Sequence, residues 1–358
     1  MKQRLSSFYE ETRSARKIVV VDFGFLGDTV HLTPSLRALH QNYPEAELHV
    51  VTTPGGAEIL KMTPCVKRAW VYRLTNPSPP WYRSLGLLRQ LRAERFDLLF
   101  NFSGADRTVY LSAALGVRDK LSQTPLRWHF YNPLLSRYWA PLVKERQTMP
   151  IYLQRLEMLR AAGLDVEEPR FELSISAELL KEAAQWVHPG AIHLSPNTST
   201  PMKEWPVRRW VGLVKLFAKR YPQAVMLLST PLDPRQLARA EAIVEEAKCP
   251  QLKLLPPGLS IPHLSAIISR CAVQLGCDSG PLHLVWALDI PSLTLYRNYQ
   301  GLEAWIPKDP KHEAILVDCS CIGKKNPECA SLGEARCLGE ITEEEVFAKL
   351  SRIYERRR

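Results

Sequence analysis

The chain lacks any run of 18 consecutive apolar residues, so no transmembrane helix is expected. Its first 16 residues, MKQRLSSFYEETRSAR, carry charge throughout and have no apolar centre. A secretory leader is therefore not expected there, and the expectation is a cytoplasmic protein. No segment repeats with the period of a solenoid or propeller. No G-x-G-x-x-G follows the first apolar run and no acidic residue closes the second, which disfavours a nicotinamide cofactor. Nor do Lys and Arg form a stripe with stacking aromatics in an RNA-binding motif, so nucleic acid is not an expected partner.

What is present is an ordinary globular balance over 358 residues: 46% apolar, 23% charged, mean hydropathy −0.18. That length is about twice a usual domain and supports two cores. The net charge of +10 is uneven. Residues 1–175 hold 24 Lys and Arg against 17 Asp and Glu, and the remainder hold 23 against 20. An N-terminal half that meets something anionic is implied. Cys65, Cys249, Cys271 and Cys277 lie singly among apolar neighbours and read as buried small hydrophobes.

Order begins at Lys17. Apolar runs at 17–22 (KIVVVD), 47–52 and 97–102 predict strands. Leu32, Leu36 and Leu39, then Leu85, Leu88 and Leu91, recur at helical spacing between them. The stretch 120–150 is rich in Trp, Tyr, Pro and Arg and weakly periodic. A helix at 151–162 and an extended run at 169–176 lead into a second alternation. Strands are expected at 191–195, 224–229, 252–255, 272–276 and 292–296. Helices are expected at 178–187, 207–220, 234–247, 261–269 and 282–288. The pattern predicts an α/β protein of two doubly wound parallel-sheet lobes, with ligands beyond the strands' carboxyl ends in an interlobe cleft. The expected segments are an extension at 1–16, lobes at 17–170 and 171–340, and a C-terminal helix at 341–358 opened by the capping box Thr342–Glu345.

Three loops carry polar chemistry. Gly24-Phe-Leu-Gly27-Asp28 follows the first strand. Asp28 reads either as a helix N-cap or as a carboxylate free to act as a general base. In 195–206, SPNTSTPMKEWP, Thr198, Ser199 and Thr200 offer hydroxyls and Lys203 a point charge for phosphate, though such turns also merely punctuate chains. Trp205-Pro206 reads as structural packing. In 278–283, DSGPLH, Gly280 and Pro281 make a tight helix entry whose amides suit an anion, with His283 in the first turn. The alternative there is plain capping by Asp278 and Ser279.

GFLGDTVHLTPSLRAL (24–39), PNTSTPMKEWP (196–206) and CDSGPLHLVWALDIPSLTLY (277–296) resemble, in order and spacing, glycosyltransferase family nine, the bacterial lipopolysaccharide heptosyltransferases. The resemblance spans about residues 17–350. It implies a GT-B fold of two Rossmann-like lobes, the N-terminal one holding the acceptor sugar and the C-terminal one an ADP-sugar. It also implies inverting transfer without a metal-binding Asp-x-Asp and without a required cofactor. Under it, Gly24, Gly27 and Asp28 form the acceptor-side loop, with Asp28 as base. Thr198, Ser199 and Lys203 neutralise the departing diphosphate, and Asp278, Ser279, Gly280, Pro281, Leu282 and His283 bind diphosphate and nucleoside. Members usually carry a Gly and a Glu after the strand at 224–229. Here Ser229-Thr-Pro-Leu-Asp233 stands instead, so Asp233 is the candidate ribose ligand and the nucleotide identity is open.

Cys319, Cys321, Cys329 and Cys337 fall within 19 residues and are zinc candidates by composition. Their spacing is not that of paired knuckles, and reduced packed thiols are the expected state. Trp81, Tyr82, Arg83, Arg89, Arg92 and Arg95, with Arg127, Trp128, Arg137, Tyr138 and Trp139, read either as solvated basic faces and core aromatics or as a peripheral contact with the inner membrane. A lipid-linked phosphorylated oligosaccharide acceptor would lie there. The expected enzyme is a monomeric heptosyltransferase. The alternatives are a nucleotide-sugar epimerase of the same fold and a non-catalytic basic nucleotide- or nucleic-acid-binding protein.

Overall fold

The computed structural model describes residues 5–73, 85–124, 132–136, 138–140, 148–299, 301–319, 329 and 335–357. The chain divides into two compact units, 1–174 and 175–358. That boundary lies a few residues after the one expected from the pattern. The extended run at 169–176 forms no strand, and its residues as far as Ser174 still belong to the first unit: Ser174 N–H donates to the Met62 carbonyl at 2.6 Å, and Phe171 packs against His31.

In the first unit six parallel strands are ordered β3-β2-β1-β4-β5-β6. They are β1 (Lys17–Val21), β2 (Glu47–Thr52), β3 (Arg68–Val71), β4 (Leu98–Asn101), β5 (Asp119–Gln123) and β6 (Tyr138–Ala140). β1 is central, with Val20 in register with Val50 on one side and Phe100 on the other. A central parallel strand is covered on both faces, hence its unbroken apolar run. Ile18 and Val20 join one core with Leu36, Leu39, Phe100 and Leu159, while Val19 and Val21 join the other with Val51, Trp70, Leu91 and Leu99.

Residues 5–16 pack onto this unit. The helix Phe8–Thr12 inserts Phe8 into the first core, edge-on to Phe100 at 5.8 Å and to Tyr138 at 5.0 Å. The weakly periodic region holds two strands, β5 and β6. β5 reads DKLSQ, yet its three central residues are buried between neighbours.

The second unit repeats the plan: β7 (Ile192–Ser195), β8 (Met226–Leu228), β9 (Leu252–Leu254), β10 (Val273–Cys277), β11 (Ser292–Asn298) and β12 (His312–Asp318). The order is β12-β11-β10-β7-β8-β9, all parallel. The C-terminal helix Glu343–Glu355 is part of this unit. Val346, Leu350, Ile353 and Tyr354 pack with Trp210, Val214 and Phe217. Thr342 caps it by accepting the Glu345 amide at 3.2 Å, and Glu343 pairs with Arg209. Trp205 is fully buried and donates its indole N–H to the Ile341 carbonyl at 3.0 Å, which confirms its packing role. Gly276 is required where β10 meets β7, because a Cβ there would lie 2.1 Å from Ser195 Oγ.

Candidate active site

In a doubly wound sheet, ligands bind outside the carboxyl ends of the strands where the strand order reverses. In the first unit that point lies between β1 and β4. The loops after them, 22–28 and 102–108, line a cavity of about 500 Å³ with Gln123, Gln154 and Arg155.

Asp28 borders this cavity. It sits in the third position of the short helix Leu26–Val30 rather than at its cap, and its Oδ2 accepts the Phe25 amide at 2.8 Å. Capping and cavity placement thus coexist in one carboxylate. Burial pushes its pKa up; Arg155 opposes that rise, Asp22 adds to it, and the Phe25 amide lowers it. Gly24 leaves the room Asp28 occupies, since a Cβ at Gly24 would lie 2.1 Å from the Asp28 Cβ. Gly27 is buried inside the short helix.

Two residues at this site escape a reading of the sequence by motif. Asp22 closes β1, and Arg155 lies on the helix Ile151–Ala161 among buried Leu156, Met158 and Leu159. Arg155 Nη2 is 2.6 Å from Asp22 Oδ2, and both side chains are almost fully buried. Arg155 Nη1 also donates to the Asp28 carbonyl at 2.6 Å. The available signal is an arginine at a core position of an otherwise apolar helix face.

In the second unit the order reverses between β7 and β10, and the loops that follow them are those at 196–206 and 278–283. Asn197, Thr198, Ser199, Ser279, Gly280 and Pro281 line a cavity of about 260 Å³ with Thr230 and Gln236. Lys203 ends a 3₁₀ turn, Pro201–Lys203, with its ammonium 2.7 Å from Asp278 Oδ2 and 6.0 Å from the Tyr299 ring centre. Beneath the loop, buried Glu204 accepts the Thr198 amide at 2.8 Å and pairs with Arg235 at 2.8 Å and Arg239 at 3.4 Å. Arg235 also donates to the Thr198 carbonyl at 2.7 Å.

The structure sorts the expected ligands. Ser199 is exposed, but Thr198 is buried and donates its hydroxyl within the loop to the Thr200 carbonyl at 2.5 Å, so it shapes the loop. Ser279 heads the helix Gly280–Ala287, and its buried Oγ has no hydrogen-bond partner among the described residues. Pro281 has no amide N–H to offer, and the Leu282 amide turns back to the Ser279 carbonyl at 3.2 Å. His283 is buried edge-on to Trp286, 4.7 Å between ring centres, and burial lowers its pKa to about 4. It is therefore neutral and adds no positive charge. Asp233 is not among the residues lining the cavity; exposed, it caps the helix Pro234–Ala247 by accepting the Gln236 amide at 3.0 Å.

Among the described residues, no group of three or more His, Cys, Asp or Glu is placed to hold a metal. Cys319 and Cys337 interact, and burial with that neighbour pushes the Cys337 thiol up to about 12. Cys321 lies outside the described residues, as do Trp81, Tyr82, Arg83, Arg127, Trp128 and Arg137. Tyr138 and Trp139 are buried in β6, so these two aromatics are core rather than surface. Arg89 and Arg92 are exposed on the helix Leu85–Ala93. Among the described residues, no helix is long and apolar enough to cross a membrane.

The family model of glycosyltransferase family 9 (heptosyltransferase) matches residues 84–332. The chain is 25% identical over 285 residues to lipopolysaccharide heptosyltransferase 3 of Escherichia coli, covering 76% of this chain and 81% of that one. It is 24% identical over 302 residues to the lipopolysaccharide core heptosyltransferase OpsX of Haemophilus influenzae, covering 81% and 82%. Its structure resembles E. coli heptosyltransferase WaaC with ADP at a TM-score of 0.72 and 17% identity, covering 95% of this chain and 99% of that one. The fold is accordingly GT-B, each unit a Rossmann-like lobe.

Proposed function

The chain belongs to glycosyltransferase family 9 and is a glycosyltransferase; from that premise we propose that it transfers heptose, or a related sugar, with inversion from ADP-heptose to a lipopolysaccharide-core acceptor. The observation that carries this reading is Asp28 at the cavity of the first unit, a half-buried carboxylate with a raised pKa. A carboxylate whose pKa is raised takes up a proton more readily than a free one, which suits a general base. In the proposed step Asp28 accepts the proton of an acceptor hydroxyl. That oxygen bonds to the donor's anomeric carbon from the face opposite the diphosphate. The carbon–oxygen bond to the β-phosphate breaks, and the nucleoside diphosphate leaves with the electron pair.

Charge developing on the leaving group needs donors fixed in advance. Lys203, Ser199, Ser279 and the amide end of the helix at Gly280 are the groups proposed for it. Ser279 Oγ supports this, being an unpartnered polar atom at the cavity wall. Thr230 and Gln236 line the same cavity where Asp233 does not, and we assign them, rather than Asp233, to the nucleoside end. The acceptor is proposed to be lipid-linked and phosphorylated, on the cytoplasmic face of the inner membrane. Exposed Arg89 and Arg92 support such an anionic contact.

The test replaces Asp28 by Asn and by Ala. Transfer should be abolished while ADP affinity stays within a few-fold; full activity in either variant would remove Asp28 from the mechanism. Thermal shifts with ADP, UDP, GDP and CMP identify the nucleotide. A ligand at about 100 times its Kd adds about 2.7 kcal/mol, and no shift with ADP would overturn the donor assignment.

A further inference from the structure

We propose that Arg155, anchored by Asp22, is the positioning residue that sets Asp28 in the first unit's cavity. This rests on the reading of Asp28 as the base. One guanidinium pins both ends of the loop after β1. Its Nη2 meets Asp22 Oδ2 at 2.6 Å, and its Nη1 donates to the Asp28 carbonyl at 2.6 Å. The loop is then tied internally, because Asp22 Oδ1 accepts the Gly24 amide at 2.8 Å and Asp28 Oδ2 accepts the Phe25 amide at 2.8 Å. The Asp28 backbone is thus held by Arg155, and one of its carboxylate oxygens by the Phe25 amide.

The pair is costly where it stands. Arg155 and Asp22 are 8% and 1% exposed at the side chain, and a buried ion pair is often no more stabilising than apolar residues of the same volume. Its place beside the cavity has a better explanation in what it does to Asp28. Besides Asp28, the charged side chains lining the cavity among the described residues are Asp22, Arg155 and, from the loop after β4, Arg107. Arg155 favours the ionised form of Asp28, and Asp22 disfavours it. The guanidinium thus fixes the Asp28 backbone and limits the pKa rise caused by burial, and Asp22 in turn holds the guanidinium.

Opposite shifts from the two partners are the diagnostic. The full chain is assayed as wild type, Arg155→Gln, Asp22→Asn and Asp28→Asn, measuring kcat and donor KM against pH, with the ADP-induced thermal shift reporting the second unit. Arg155→Gln should move the acidic limb of the profile to higher pH and lower kcat at neutral pH about 10- to 100-fold, with donor KM little changed. Asp22→Asn should move the limb to lower pH. If Arg155→Gln does not fold, the direction of the Asp22→Asn limb decides alone. An acidic limb unmoved in the folded variants, with kcat and KM falling together, would overturn the positioning role. If Asp28→Asn is inactive in that case, the base survives and only the positioning role is lost. An active Asp28→Asn would instead remove the base on which the proposal stands.

Discussion

The Lys203 ammonium lies 2.7 Å from the Asp278 carboxylate, across 75 residues of chain. The two come from the loops on either side of the strand reversal in the second unit. Asp278 thus holds the one lysine of loop 196–206 at a fixed point, where the pair borders a separate small pocket with Leu295, Arg297 and Tyr299. The pair is partly exposed, with Lys203 36% accessible, and solvent screens most of its contribution to stability. Lys203→Ala should therefore change stability by no more than about 1 kcal/mol. Turnover should fall about 10²- to 10³-fold, the usual loss when a donor to developing charge is removed. Chemical denaturation and steady-state kinetics on the same preparation separate the two. A large loss of stability with little loss of turnover would make Lys203 structural.

Gly24 and Gly86 are a matched pair for testing the acceptor loop. A Cβ at Gly24 would collide with the Asp28 Cβ at 2.1 Å, whereas at Gly86 it meets nothing within 4 Å. Gly24→Ala should displace Asp28 and reduce kcat by about 10²-fold or more, leaving ADP affinity unchanged. Gly86→Ala, in the exposed helix Leu85–Ala93, should keep full activity and gain up to about 1 kcal/mol. Equal activity in the two variants would show that the Asp28 position tolerates displacement.

The strands readable in the sequence are those with continuous apolar runs, β1, β2 and β4 in the first unit and all but β12 in the second. A central parallel strand buries both faces and its composition shows it. β3, β5, β6 and β12 were not readable. β3 is an edge strand with only Trp70 buried, and β5 reads DKLSQ while tertiary packing buries Lys120, Leu121 and Ser122. At the sites, the loops were legible because Gly, Pro and hydroxyl residues cluster locally. The Asp22–Arg155 pair was not, because no local pattern links partners brought together only by the fold. For the same reason Asp233 looked like a ligand: nothing in the sequence separates a free carboxylate from one spent on a cap.

Asp28→Asn should stabilise the protein at neutral pH even as it abolishes transfer. The pKa of Asp28 is raised in the folded state, chiefly by burial. A raised carboxylate contributes stability that is fully present below its ordinary value of 3.8 and lost as pH rises through the folded value. Removing the charge recovers that loss, an exchange of stability for function common at active sites. Melting temperatures of wild type and Asp28→Asn should differ near neutral pH and converge in acid. A variant less stable than wild type at neutral pH would mean that the ionised carboxylate holds the loop together.

Buried histidines set the protein's response to mild acid. Burial lowers the pKa of His193 to about 3 and those of His283 and His312 to about 4, from 6.5. Each is neutral in the fold and protonates more readily in the unfolded chain. Their contribution is present above 6.5 and is lost as pH falls toward the folded values, since the unfolded state binds more protons throughout that window. The ion-paired carboxylates Glu94 and Glu343, lowered from 4.5, act only below that value, while the raised Asp28 acts in the opposite sense, so a fall in stability in the upper part of the window reports the histidines. The urea midpoint should fall steadily between pH 6.5 and 4.5. His193→Gln and His283→Gln should each flatten that slope by about one proton's worth. If both variants kept the wild-type slope, the acid sensitivity would belong to groups other than these two rings.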